Sequence, residues 1–172
     1  MTLALILDRA SPVESFLDLS LSRYASNSDR SSPRDRGFDT SITLGEPKLA
    51  AVRALRDAVI EAQDYGWDGY TAAPADPGAI CYALQFLSAL SHEIPLPDIA
   101  VDPDGDIALD WDLGERRIFS VRIGRDGTLN YAGLVGHSSF HGMEILREGI
   151  PKAVSAGIDR VLSAREQRLG IE

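Results

Sequence analysis

The fold is decided by Asp98–Val135, DIAVDPDGDIALDWDLGERRIFSVRIGRDGTLNYAGLV. Within it Ile107, Leu109 and Trp111 alternate with Asp106, Ala108, Asp110 and Asp112. A period of two sends successive side chains to opposite faces of a strand, so one face is apolar and the other acidic. The pattern resumes after Leu113-Gly114-Glu115, with Phe119, Val121 and Ile123 on one side and Ser120, Arg122 and Gly124 on the other. Asp104-Gly105 and Asp126-Gly127 are turn signals, because glycine supplies the positive φ that a tight hairpin requires. Pro103 fixes φ ahead of the first of them. Leu129 and Tyr131 continue the apolar face. The stretch therefore reads as an antiparallel meander that is wet on one side. Its apolar face has to meet helices, since a lone sheet would leave that face in water.

Helices are expected on both flanks. The first is predicted to begin near Glu46-Pro47, with Leu49, Val52, Leu55, Val59 and Ala62 at helical spacing and Gly66 as its stop. A second follows from Asp76 as N-cap with Pro77 in the first turn. Its stripe is Ile80, Ala83, Leu84, Leu87 and Leu90, and Pro95-Leu96-Pro97 forbids further helix. Beyond Val135, HSSFHGMEIL reads as a last edge strand with Phe140 facing inward. Val154, Ile158, Val161 and Leu162 then mark a C-terminal amphipathic helix. The order is ααββββ(β)α. This is an α+β, two-layer fold, an antiparallel four- or five-stranded meander covered on one face by helices.

Residues 1–45 differ from the rest. Arg23 to Arg36, RYASNSDRSSPRDR, is rich in Ser, Arg and Asp and poor in apolar residues, a composition that cannot offset its own ordering entropy. The expected organisation is a flexible or partner-ordered N-terminal arm over 1–45 and a single α+β domain over 46–172.

A chain of 172 residues is long enough to bury a core. It has no apolar run of membrane-spanning length. The opening MTLALILDRASP is short, lacks a basic start and is broken by Asp8 and Arg9, so a secretory signal is not expected. Cys81 is the single cysteine, which excludes an internal disulfide and suits a reducing, cytoplasmic setting. Its place in the second helix predicts a buried structural role. The formal net charge of −9 argues against direct nucleic-acid binding, which needs a basic footprint, and suits a basic partner.

Several of these segments carry a resemblance. Trp67-Asp68-Gly69-Tyr70 with Ala73-Pro74, Leu96-Pro97 with Ile99, Pro103 to Trp111 and Tyr131-Ala132-Gly133-Leu134 resemble a family of small uncharacterised bacterial proteins. That family has a W-x-G-Y/F segment, a P-D-G-x-I-x-L/F-E/D-W strand and a later Y-A-x-L strand. The likeness covers about Tyr65 to Leu162 and leaves the first 45 residues outside. Asp110 stands where the family more often has Glu. The resemblance implies an accessory protein of bacteria or their mobile elements, antitoxin-like or immunity-like, and brings no settled activity.

The residues themselves offer little catalytic chemistry. His137 and His141 are separated as a helical zinc pair would be. The glycines and serines around them instead favour strand or loop, and no Glu lies between them. The aspartates from Asp102 onward do not form a calcium loop, because Gly105 falls too early. Ser138 and Ser139 beside His137 lack a nucleophile elbow, and Gly124 to Gly127 is a hairpin turn rather than a phosphate cradle. No cofactor is expected. Trp67, Asp68 and Tyr70 form a loop suited to recognition. Asp106, Asp110 and Asp112 form the acidic face. The expectation is a non-catalytic protein-binding module that neutralises a basic partner, with these six residues as the contact. The alternatives are a metal-dependent hydrolase using His137, His141 and nearby Asp, and a homo-oligomeric structural subunit that pairs free sheet edges.

Overall fold

The computed structural model describes residues 41–163, and the side chains of residues 48–163. The chain divides into the units Met1–Asp39 and Thr40–Glu172. The first lies outside the described residues, as does nearly all of the expected arm.

In the second unit the elements are α1 (Ser41–Glu61), α2 (Pro77–Ala89), β1 (Asp98–Val101), β2 (Ile107–Asp112), β3 (Arg117–Ile123), β4 (Thr128–Val135), β5 (Ser138–Ile145) and α3 (Lys152–Ser163). The five strands form one antiparallel sheet in the order β1-β2-β3-β4-β5. The α+β meander and its helical flanks are thus as read from the alternation, with the fifth strand present.

Period-two burial fixes the register. Ile107, Leu109 and Trp111 of β2 are buried, and they pair with Ile123, Val121 and Phe119 of β3, also buried. A slip of one residue would send this whole set into water. Val52, Leu55 and Val59 of α1, Ile80, Phe86 and Leu87 of α2, and Val154, Ile158 and Val161 of α3 complete the core.

Two aromatic–glycine pairs shape the β4–β5 half. Phe140 lies across from Gly133 and Tyr131 across from Gly142, and each ring occupies the space that a side chain on the opposing glycine would fill. Gly157 performs the same service for α3. An added Cβ there would stand 2.7 Å from Phe119 Cζ and 3.2 Å from Phe140 Cε2. The helix therefore rests directly on the rings, and Phe119 and Phe140 stack with centroids 5.9 Å apart.

The helices correct three readings. The first helix starts at Ser41 and so contains Glu46 and Pro47, which were expected to open it. An interior proline removes one ladder bond and its ring crowds the carbonyl four residues back, at a cost of about 3 kcal/mol, yet the helix runs through it. In α2 Asp76 is the N-cap, its carboxylate accepting from Gly78 N at 2.8 Å, as the Asp-Pro pair implies. Cys81 is exposed rather than buried. One residue past buried Ile80, it is turned by about 100° from the apolar stripe. Phe86, fully buried, belongs to that stripe although the spacing reading left it out, and Leu84 is only half-buried.

Candidate functional site

In a meander, alternate turns share one end of the sheet. The β1–β2 turn (Asp102–Asp106) and the β3–β4 turn (Gly124–Gly127) therefore meet, although more than a whole hairpin separates them in the chain. The start of α2 completes this end. Asp76 N donates to Gly105 O at 2.8 Å and Ala73 N to Pro103 O at 2.8 Å, which ties the loop before α2 to the first turn. Gly105 has φ +88°, and a Cβ there would lie 2.7 Å from Pro74 O, so only glycine permits this approach.

The junction forms an open, shallow cavity of about 310 Å³ whose lining includes Asp76, Asp104, Asp106, Asp126, Arg125 and Asn130. Four carboxylates thus face one space. Burial first, then the charges of Asp104, Asp102 and Asp76, push Asp106 above its ordinary pKa of 3.8, with Arg122 opposing. At Arg122 burial works against the charge, but Asp102, which forms an ion pair with its Nε, and Asp104, 3.4 Å from Nη1, hold it protonated and raise its pKa. Asp126 is lowered because Thr128 hydrogen-bonds to it, the backbone N–H donating at 3.0 Å.

A second acidic feature lies on the sheet face turned away from the helices. Asp98 of β1 and Asp110 of β2 are direct cross-strand partners. Among the described residues no ion pair is formed by either. Asp112 follows on the same side of β2 and is exposed.

The six residues expected to bind are not equivalent in the folded chain. Trp67 is half-buried and its indole N–H donates to Ala73 O at 2.9 Å. Asp68 closes its own turn, accepting from Tyr70 N at 2.8 Å and Ala72 N at 3.2 Å. Asp112 accepts from Gly114 N at 2.8 Å and so supports the β2–β3 hairpin. There Gly114, Glu115 and Arg116 all have positive φ. Tyr70, 85 % exposed, Asp106 and Asp110 remain turned outward or into the cavity. Trp111 is core, and its indole N–H donates to Pro95 O at 2.7 Å.

The structure adds Asp76, Asp98, Asp104 and Asp126 to the site. The signal for the turn residues was present in the chain, because two Asp-Gly turns separated by two strands have to fall at one end.

His137 and His141 are not brought together. His137 is in the β4–β5 turn and His141 on β5, so four extended residues hold them about 13 Å apart. Among the described residues no three His, Cys, Asp or Glu side chains form a group able to hold a metal ion. Among the same residues no helix is long and apolar enough to cross a membrane. Comparison with family models, curated proteins and solved structures finds no match to this chain.

Proposed function

We propose that this chain is a non-catalytic binding module whose acidic β1–β2 region receives a basic protein partner. The supporting observation is the pairing of Asp98 with Asp110. Like charges directly opposite each other weaken a sheet, so this pair costs the free chain stability. A Lys or Arg from a partner would remove that cost and gain a charge-assisted contact. The cavity carboxylates lie at the turn end of the same strands, and the loop before α2 carries exposed Tyr70. Neutralisation of a basic toxin or nuclease, as an antitoxin or immunity protein performs it, is the biological form this reading takes, in a bacterial, cytoplasmic accessory system.

The test uses capture from extracts of the source cells with the intact chain and with a variant carrying Asp98→Lys, Asp106→Lys and Asp110→Lys. A stoichiometric basic protein, released as salt rises and not retained by the variant, is the expected result. Equal retention by both proteins would remove the acidic region from the proposal.

A further inference from the structure

Separate from whatever the acidic region binds, the opposite edge of the sheet has its own partner. We propose that β5 pairs antiparallel with β5 of a second copy of this chain, producing a closed two-fold dimer with one sheet running through both copies.

Among the described residues the edge is open along its length. β5 ends the sheet and spans eight residues. Leu146 N donates to Gly127 O at 2.8 Å, so Gly127 and Leu146 are a hydrogen-bonded pair in the β4–β5 ladder. Such pairs alternate in an antiparallel ladder. Even-numbered residues of β5 therefore bond to β4, while Ser139, His141, Met143 and Ile145 turn their N–H and C=O groups away from the sheet. An unpaired row of this kind is a template for another strand unless proline, charge or a covering element blunts it. β5 contains no proline, no lysine or arginine, and one carboxylate, Glu144. Met143 and Ile145 are 67 % and 50 % exposed.

The pattern of β5 selects a second copy as occupant. One two-fold register satisfies every outward N–H and C=O from Ser139 to Ile145, the one centred on Gly142. It sets Ser139 against Ile145 and His141 against Met143, so neither imidazoles nor carboxylates face each other. Sliding the axis by one residue in either direction leaves some of these groups unpaired, and sliding it one way also sets His141 against His141. At the centre glycine meets glycine. That leaves room for Tyr131, whose ring crosses β5 with its hydroxyl oxygen over Gly142.

On the helix side, the same register puts the second copy's Glu144 directly across from Phe140. Arg160 of α3 lies over that ring, its Cζ 4.7 Å from the centroid. The pairing thus brings a carboxylate beside a guanidinium at two symmetry-related places. The other edge explains why assembly stops at two. β1 has only four residues, starts on Asp98, is bracketed by Pro97 and Pro103, and packs against α1. With one edge open and one sealed, a β5–β5 contact closes on itself and no filament grows.

The experiment is sedimentation of the full chain across a wide concentration range, with amide hydrogen exchange read at low and high concentration. The expected result is a monomer–dimer equilibrium in which the amides of Ser139, His141, Met143 and Ile145 gain protection as dimer forms. Met143→Pro removes an outward N–H without removing a bond to β4, and should give a monomer with unchanged circular dichroism. Should that variant fail to fold, the charge pair decides. Glu144→Arg should weaken dimerisation roughly tenfold, and adding Arg160→Glu should restore it. A wild-type chain that stays monomeric with those amides freely exchanging overturns the proposal. So does a dimer that survives both Met143→Pro and Glu144→Arg.

Discussion

The two edges of this sheet solve opposite problems. At the β1 edge the strand is short, prolines bracket it, α1 packs against it, and carboxylates crowd its outer face and the nearby turn. At the β5 edge the strand is twice as long and nearly uncharged, has no outer partner among the described residues, and is built from aromatic rings seated on glycines. The difference teaches that one meander can hold an edge blunted by proline and charge and an edge that carries neither proline nor a basic residue. In the β1 half backbone bonds and capping set the geometry. In the β5 half close packing does.

That contrast predicts where substitutions hurt most. Gly157→Val should be the most damaging, because its side chain would enter the space of Phe119 and Phe140. Overpacking of this kind costs about 2–3 kcal/mol, measurable by urea unfolding. If the loss is no larger than for a surface change, α3 does not rest on the rings as closely as the structure has it. Trp111→Phe probes the other half through the bond to Pro95 O. Losing one hydrogen bond and a little volume should cost about 1–2 kcal/mol, clearly less than the glycine change. The reverse order would place the more demanding packing at the β1 side.

The smallest effect belongs to Asp106. Its folded pKa lies above the ordinary 3.8, from burial and then the neighbouring carboxylates. The stability its protonated form contributes is therefore complete below 3.8 and lost as pH rises through the folded value. Asp106→Asn should be more stable than wild type at neutral pH, by no more than about 0.5 kcal/mol. That advantage should vanish in acid, as paired thermal melts at pH 7 and pH 3 would show. An advantage that grows in acid would mean that Arg122, rather than the acidic neighbours, dominates the cavity.

Much of the architecture could be read from local chemistry. Alternation over Ile107–Trp111 and Phe119–Ile123, with Asp-Gly between strands, leaves one way to bury the apolar set. Asp76-Pro77 is a helix start in any context, because capping involves only neighbouring backbone. The exposure of Cys81 was also implicit in its angle from Ile80. Other features had no local sign. A Gly in a strand looks the same whether it is empty or under a ring, so the seats at Gly133, Gly142 and Gly157 emerge only when β4, β5 and α3 are assembled. Trp67, Asp68 and Asp112 looked like surface available to a partner, yet the backbone of their own turns claims them.

The strands and their turns, the N-cap at Asp76 and the net charge follow from the chain, since each depends on neighbours along it or on composition alone. The acidic cavity and the contrast between the edges do not. Asp76, Asp104, Asp106 and Asp126 lie in three separate segments, and their shared field exists only after the turns meet. Likewise a strand becomes a sealed or an open edge only when its neighbours are in place, because unpaired N–H and C=O groups are a property of the sheet rather than of the segment.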